Sequence, residues 1–224
     1  ETIHKSRINS LLPVLTAVIK SKKLVLTELG RTLKTKGQER SGIRRVDRLL
    51  ANPYYQQHSI DIYRCIIKCV VGTHVRPLII VDWSSLPNSH LSAQGEHCVL
   101  RAALASEGRG LVLYEEVHPK SDEGKPYIHS EFLKRLHSLV PSECRPCLLT
   151  DGGFKNPWFK AVVALGWDYI GRTRGLTLYS EGQGFQSLKR LFDDATSTPQ
   201  YIGYHSLAKT NPIKTHFYLY KLDL

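Results

Sequence analysis

The chain has no methionine and begins at Glu1, which reads as a segment starting inside a longer reading frame with both natural ends missing. No stretch approaches the roughly 18 apolar residues of a membrane span. The N-terminus also lacks the charged, apolar and small-residue order of a secretory signal, so an intracellular protein is expected. Cysteine is sparse and odd in number: Cys65, Cys69, Cys98, Cys144 and Cys147 follow no disulfide-rich spacing and are expected to be reduced. Cys144 and Cys147 form a CxxC, but no second CxxC or HxxxH accompanies it. A loop cysteine followed by one entering a strand is therefore preferred to a zinc or redox pair. Acid is outnumbered in the first third, where residues 1–76 hold 15 Lys or Arg against 5 Asp or Glu.

What is present is enough for a substantial core. With 224 residues and 42% hydrophobic content, one or two domains are expected. The net charge of +11 is almost all N-terminal, since residues 77–224 carry 16 basic against 15 acidic side chains. A basic module joined to a near-neutral one suggests a polyanion partner for the first part. The plain alternative is a solubilising basic surface.

Apolar residues at Ile8, Leu11, Leu12, Leu15, Val18 and Ile19 have helical spacing. Thr27 can cap a short helix reaching Leu33, and a second helix is predicted from about Ser41 to Leu50, stopped by Asn52-Pro53. Two short helices across a turn suggest a helix-turn-helix. In the second, Ile43, Val46, Leu49 and Leu50 can face a core while Arg44, Arg45 and Arg48 face away. Arginine forks suit phosphate oxygens and guanine edges. Lys34, Lys36 and Arg40 in the preceding loop strengthen a DNA-binding reading over that of a solvated cationic face. A further helix, "SIDIYRCIIKCVVG", closes this module.

From residue 77 the period changes. "PLIIVDWSSL" reads as a buried strand, and "HCVLRAALASEGRGLVLYEEVH" as a hairpin turning at Glu107–Gly110. Ile128, Phe132, Leu136 and Leu139 mark a helix ending near Pro141. "CLLTDGGF" is a strand ending in Asp151, "NPWFKAVVALG" a helix with Pro157 in its first turn, and "WDYIGRTR" a fifth strand. Glu115 and Glu116 read as the solvated end of the third strand. Trp83 and Trp158 could stack on a base, although burial beneath the strand ends is preferred. His90, His97, His118, His129 and His137 have no ligand spacing.

The order strand, strand, strand, helix, strand, helix, strand predicts a ribonuclease-H-like mixed α/β sheet with flanking helices, over residues 77–175. A small all-α helix-turn-helix-like domain (1–76) precedes it, and the start of a β-rich insertion (176–224) follows. Right-handed crossovers would lay the strand ending at Asp151 beside the one ending at Asp82. Strands lie about 4.8 Å apart, so two such carboxylates can share one divalent cation or bracket a pair of ions about 3.5–4 Å apart. Arg172 and Arg174 would share a face beside them, with Lys155 and Lys160 nearby.

"LTELGR", "IRRVDRLL", "VDWS", "VLRAALASEGRGLVLYE", "TDGGFKNPW", "LGWDYIGRTRG" and "GYHSLAKTNP" occur in an order that resembles the cut-and-paste DDE transposases of bacterial insertion sequences and composite transposons. The resemblance is to the group whose third acid lies in a YREK-type motif, and it runs from about residue 7 to the C-terminus. It implies a bacterial, nucleoid-associated cytoplasmic enzyme that binds double-stranded transposon ends, with homodimeric synapsis as a further implication. The resemblance also implies Mg²⁺ (or Mn²⁺) held by two Asp and one Glu. Asp82 and Asp151 match the two aspartates, and the DNA-binding residues would be Lys34, Lys36, Arg40, Arg44, Arg45, Arg48, Arg172 and Arg174. The glutamate matches nothing in this chain, Asp193 and Asp194 lying too early and in the wrong context. A shortened, inactive relative that occupies ends and inhibits transposition therefore stays open. A helix-turn-helix regulator with a small-ligand domain would leave the paired acids unexplained.

Overall fold

A computed structural model of the chain describes residues 4–33, 38–86 and 95–221. They form two compact units, residues 1–62 and 63–224.

The first unit consists of helices α1 (Lys5–Ser21), α2 (Leu26–Thr32), α3 (Glu39–Leu50) and α4 (Pro53–Gln57), with the start of α5 (Ser59–Val71). Asn52 caps α4, its side-chain oxygen accepting from the Tyr54 N–H at 3.0 Å while Pro53 takes the first turn, where no N–H is needed. Thr27 is not a cap. Val25 holds that position and Thr27 falls inside the first turn of α2.

Val14, Ala17, Leu29, Leu33, Val46 and Leu49 form the core of this unit. The stripe predicted on α1 is only partly the buried one: Leu11 and Val18 pack against this core, whereas Ile8, Leu12, Leu15 and Ile19 are exposed and the helix turns Val14 and Ala17 inward. α1 is apolar around most of its circumference, so spacing alone does not choose the face that α2 and α3 cover. Leu50 is likewise exposed, one step past the Val46–Leu49 stripe. α2 and α3 meet backbone to backbone. A Cβ on Gly42 would stand 2.2 Å from the Gly30 carbonyl oxygen, and one on Gly30 would stand 2.5 Å from Ile43 Cα. No larger residue fits either position without parting the helices.

The second unit holds strands β1 (Leu78–Ser85), β2 (His97–Ser106) and β3 (Arg109–Pro119), then helix α6 (Pro126–Leu139), strand β4 (Cys147–Thr150), helix α7 (Asn156–Ala164) and strand β5 (Asp168–Gly171). They make a mixed five-stranded sheet ordered β3-β2-β1-β4-β5. β1 and β2 are antiparallel, as are β2 and β3, while β4 runs parallel to both β1 and β5. A mixed α/β sheet with flanking helices is compatible with the expected ribonuclease-H-like arrangement. Gly108, at φ +71°, makes the β2–β3 turn that the sequence predicts.

One face of the sheet carries the helices. Phe132 of α6 packs on Tyr114, and Phe159 of α7 stacks on Tyr169 at 4.5 Å. Ile128, Phe132, Leu136 and Leu139 are all buried, as their spacing predicts. Gly171 is required under α7, since a Cβ there would lie 2.4 Å from Phe159 Cζ.

The division between units comes at residue 62 rather than at the expected 76, because the second half of α5 belongs to the sheet. Tyr63 meets the Tyr114 ring edge-on at 5.0 Å, and Ile67 and Val71 are fully buried. After β5 follows a second antiparallel sheet, ordered β7-β6-β8-β9, of β6 (Leu178–Ser180), β7 (Gln186–Ser187), β8 (Gln200–Leu207) and β9 (Ile213–Leu219). Tyr179, Leu188, Leu207 and Phe217 form its core. Among the described residues no helix is long and apolar enough to cross a membrane.

Candidate active site

Register places the two aspartates. Val81 of β1 pairs with Thr150 of β4, the last pair of that parallel ladder, so Asp82 and Asp151 are the next residue of each strand's chain; β4 stops there, but β1 does not end at Asp82 as expected and runs on to Ser85 against β2. Both are exposed. Partial desolvation at its base lifts the Asp82 carboxyl above the usual range, and the charges of Asp151 and Glu123 push the same way, against a hydrogen bond from the Trp83 backbone. The two carboxylates are thus close enough to repel. Glu123, which sequence reading missed, precedes α6 and is paired with Lys120. Nothing in its local pattern marks it, because its effect on Asp82 depends on the course of the β3–α6 connection.

The loop after β4 is shaped around Asp151. Its Oδ1 accepts from the Gly153 N–H at 2.9 Å, and a Cβ on Gly153 would sit 3.0 Å from that same oxygen. A Cβ on Gly152 would sit 3.1 Å from Arg174 Cγ. The glycines therefore let the Arg174 side chain and the Asp151 carboxylate share the loop.

Beneath the acids lies a layer of rings. Trp83, next to Asp82, donates its indole N–H to His129 Nε2 at 2.9 Å. His129 stacks on Phe154 at 4.8 Å and meets Trp158 edge-on, while the Phe154 N–H reaches the Asp151 carbonyl. Burial lowers the His129 pKa to about 4, so the ring is neutral and its Nε2 is free to accept. His129 is thus structural, and it connects the segments bearing the two aspartates. Trp158 is buried, as preferred from sequence, and is not available to a base.

Basic groups line the adjoining cavity of about 520 Å³, which includes Gly152, Lys155, Asn156, Arg172, Arg174 and Asn211. The Arg172 N–H donates to the Thr150 carbonyl at 3.1 Å, fixing Arg172 beside the Asp151 turn. Arg172 and Arg174 are exposed and, among the described residues, form no ion pair. Lys160 is held by the Asn211 side chain, and Asn156 ties the start of α7 to the β8–β9 loop through the Leu207 and Asn211 carbonyls at 2.8 and 2.9 Å.

The other predicted residues divide. On α3, Arg40, Arg44 and Arg48 are exposed, whereas half-buried Arg45 donates to the Asn9 carbonyl of α1 at 2.8 Å and fastens the two helices together. Lys34, Lys36 and His90 lie outside the described residues. Glu115 pairs with Arg101 at 2.8 Å. Glu116 is not solvated: its side chain is gripped by the Tyr114 hydroxyl, Arg135 and His118. Strand alternation turns it inward under α6, which the sequence could not show. Cys144 is a buried loop thiol and Cys147 opens β4; all five cysteines are free, and burial raises the thiol pKa of both.

Two mutually repelling, exposed carboxylates past the end of the β1–β4 ladder suit a hard dication that keeps most of its waters. Among the described residues no group of three His, Cys, Asp or Glu side chains forms a metal-ligand set. Scanned against protein-family models and against curated proteins, the chain matches none.

Proposed function

We propose that the chain is a DNA transposase of the cut-and-paste DDE kind, or the N-terminal part of one. In this reading a ribonuclease-H-like core carries the metal-bearing pair and a helix-turn-helix-like unit binds duplex ends. The observation that carries the reading is the register: Asp82 and Asp151 are far apart in sequence and both come directly after the last pair of the parallel β1–β4 ladder. That edge is where open α/β sheets hold their ligands.

Asp82 and Asp151 would hold Mg²⁺ or Mn²⁺, which when bound supplies Lewis-acid activation of a water or 3′ hydroxyl and stabilises the leaving oxygen. The chain's own groups do the rest. Arg172 and Arg174 neutralise phosphates flanking the scissile one, with Lys155 on the same cavity wall. The His129 layer holds the two acidic segments in register. On the first unit, Arg44 and Arg48, one turn apart on α3, contact phosphates or guanine edges.

Among the described residues only this pair of acids is proposed to hold the ion, and a second reading stays open, a protein that occupies transposon ends without cutting them. One experiment separates the two. The 224-residue chain is titrated with an end duplex with and without Mn²⁺, and nicking is followed in parallel. Saturable duplex binding with weak ion binding and little strand transfer is expected. Failure to bind any duplex would remove the DNA reading, and robust cleavage would show that two aspartates suffice.

A further inference from the structure

The β8–β9 hairpin has two unlike faces. Inward, Leu207 and Phe217 pack against Tyr179 and Leu188, with Ile202 and Ile213 beside them. Outward stand Tyr201, Tyr204 and Tyr218, at 54%, 56% and 68% exposure, with His216 between them. Register explains the row: Tyr201 faces Tyr218 and Tyr204 faces His216 across the ladder. Two residues on one strand that are three apart would normally point to opposite faces. The irregularity between Tyr201 and Gly203, with Gly203 at φ +137°, inserts the extra step that brings both tyrosines to one side.

The rings form a continuous strip. Tyr218 to Tyr201 is 5.2 Å, Tyr201 to His216 5.8 Å, and His216 to Tyr204 4.8 Å. The Tyr201 hydroxyl and His216 Nδ1, 2.9 Å apart, lock two of the rings together. Lys214 follows on the same face, opposite Ser206, and is exposed. From Ala195 to Lys221 the chain has no Asp or Glu but has Lys209, Lys214 and Lys221.

We propose that this outer face is a stacking platform for the bases of an unpaired nucleic-acid strand. Exposed rings offer π faces to bases whatever their sequence, and Lys214 on the same face attracts the phosphates. A duplex hides its base faces within its own stack and so gains nothing from the strip. The inference concerns a surface separate from the aspartate pair, and it stands whether or not that pair binds metal.

The test is anisotropy of a labelled oligothymidylate of about 12 nucleotides, and of a duplex of equal length, titrated with the 224-residue chain and its Tyr201→Leu, Tyr218→Leu and Lys214→Ala variants. Leucine keeps apolar area and removes the ring, and the exposed positions let each variant fold, which circular dichroism checks. Each tyrosine replacement is expected to weaken single-strand binding roughly tenfold, with duplex affinity unchanged. Lys214→Ala should lower the salt dependence of single-strand binding. Unchanged single-strand affinity in the tyrosine variants, or its absence in the parent, overturns the proposal. So does sedimentation showing a dimer that the tyrosine variants dissociate, because the face would then meet a second copy. Loss of duplex binding in the parent would instead strike the transposase reading.

Discussion

Arg44 and Arg48 stand on a helix face held in place by a thin stripe of Val46 and Leu49, whereas Asp82 and Asp151 sit over a layer of buried rings. The first unit has a small core and one backbone contact that tolerates no side chain. The second anchors its acids through Trp83, His129, Phe154 and Trp158. Phosphate contacts by long flexible cations need an exposed face and little more. Two repelling carboxylates must be held close by something else, and here the packing beneath them does so. The cationic surface thus depends on one close helix crossing and the acidic site on a buried layer.

The largest effect should come from breaking that crossing. Gly42→Ala drives a methyl into the Gly30 carbonyl, and a loss of about 3 kcal/mol or more from the first unit is expected. Thermal melts should show an early transition and loss of duplex binding, with the second unit still melting cooperatively. A single unshifted melt would mean that the α2–α3 contact is loose.

Acid should attack the second unit through His129. Its pKa is lowered from 6.5 to about 4, so the neutral ring is favoured in the folded state. The stability this contributes is complete above about 6.5 and is lost as pH falls toward 4, by roughly 3 kcal/mol in all. Urea melts of the parent should show this slope between pH 6.5 and 4, and those of His129→Phe should lack it. The variant leaves the Trp83 indole N–H without its acceptor, so it starts from a lower stability at pH 7.

Smaller effects distinguish the arginines. Arg44→Ala and Arg48→Ala should each reduce the salt slope of duplex binding by about one, with melting unchanged. Arg45→Ala should do the reverse, lowering the melting temperature by releasing α1 from α3 while the salt slope holds. The smallest shift belongs to Asp82→Asn. A carboxyl whose pKa is raised favours its protonated form, and the stability this gives is lost as pH rises through that pKa. The neutral amide therefore stabilises the chain near pH 7, on the order of a few tenths of a kcal/mol because the group is exposed and screened. Mn²⁺ binding, read by loss of the free-ion paramagnetic signal, should disappear in the same variant.

Much of the sheet was legible beforehand. Aliphatic runs ending in acid, the Glu107-Gly108 turn and the Ile128–Leu139 spacing all correspond to elements found, because each is written in local period and turn chemistry. The site was legible as far as residue type and strand end. Which face of α1 is buried, that Arg45 is structural, that Glu116 is enclosed and that the charge of Glu123 is felt at Asp82 were not, since each depends on a neighbour distant in the chain.

The order of residues thus set where helices and strands form, where charge collects and which aliphatic runs lead into aspartate, because backbone preferences and periodicity act over a few residues. The tertiary structure alone decided the register that sets Asp82 beside Asp151, the glycine contact between α2 and α3, and the row of rings on β8–β9. Those are products of close packing, in which what a side chain touches is fixed by surfaces that meet only once the chain has folded.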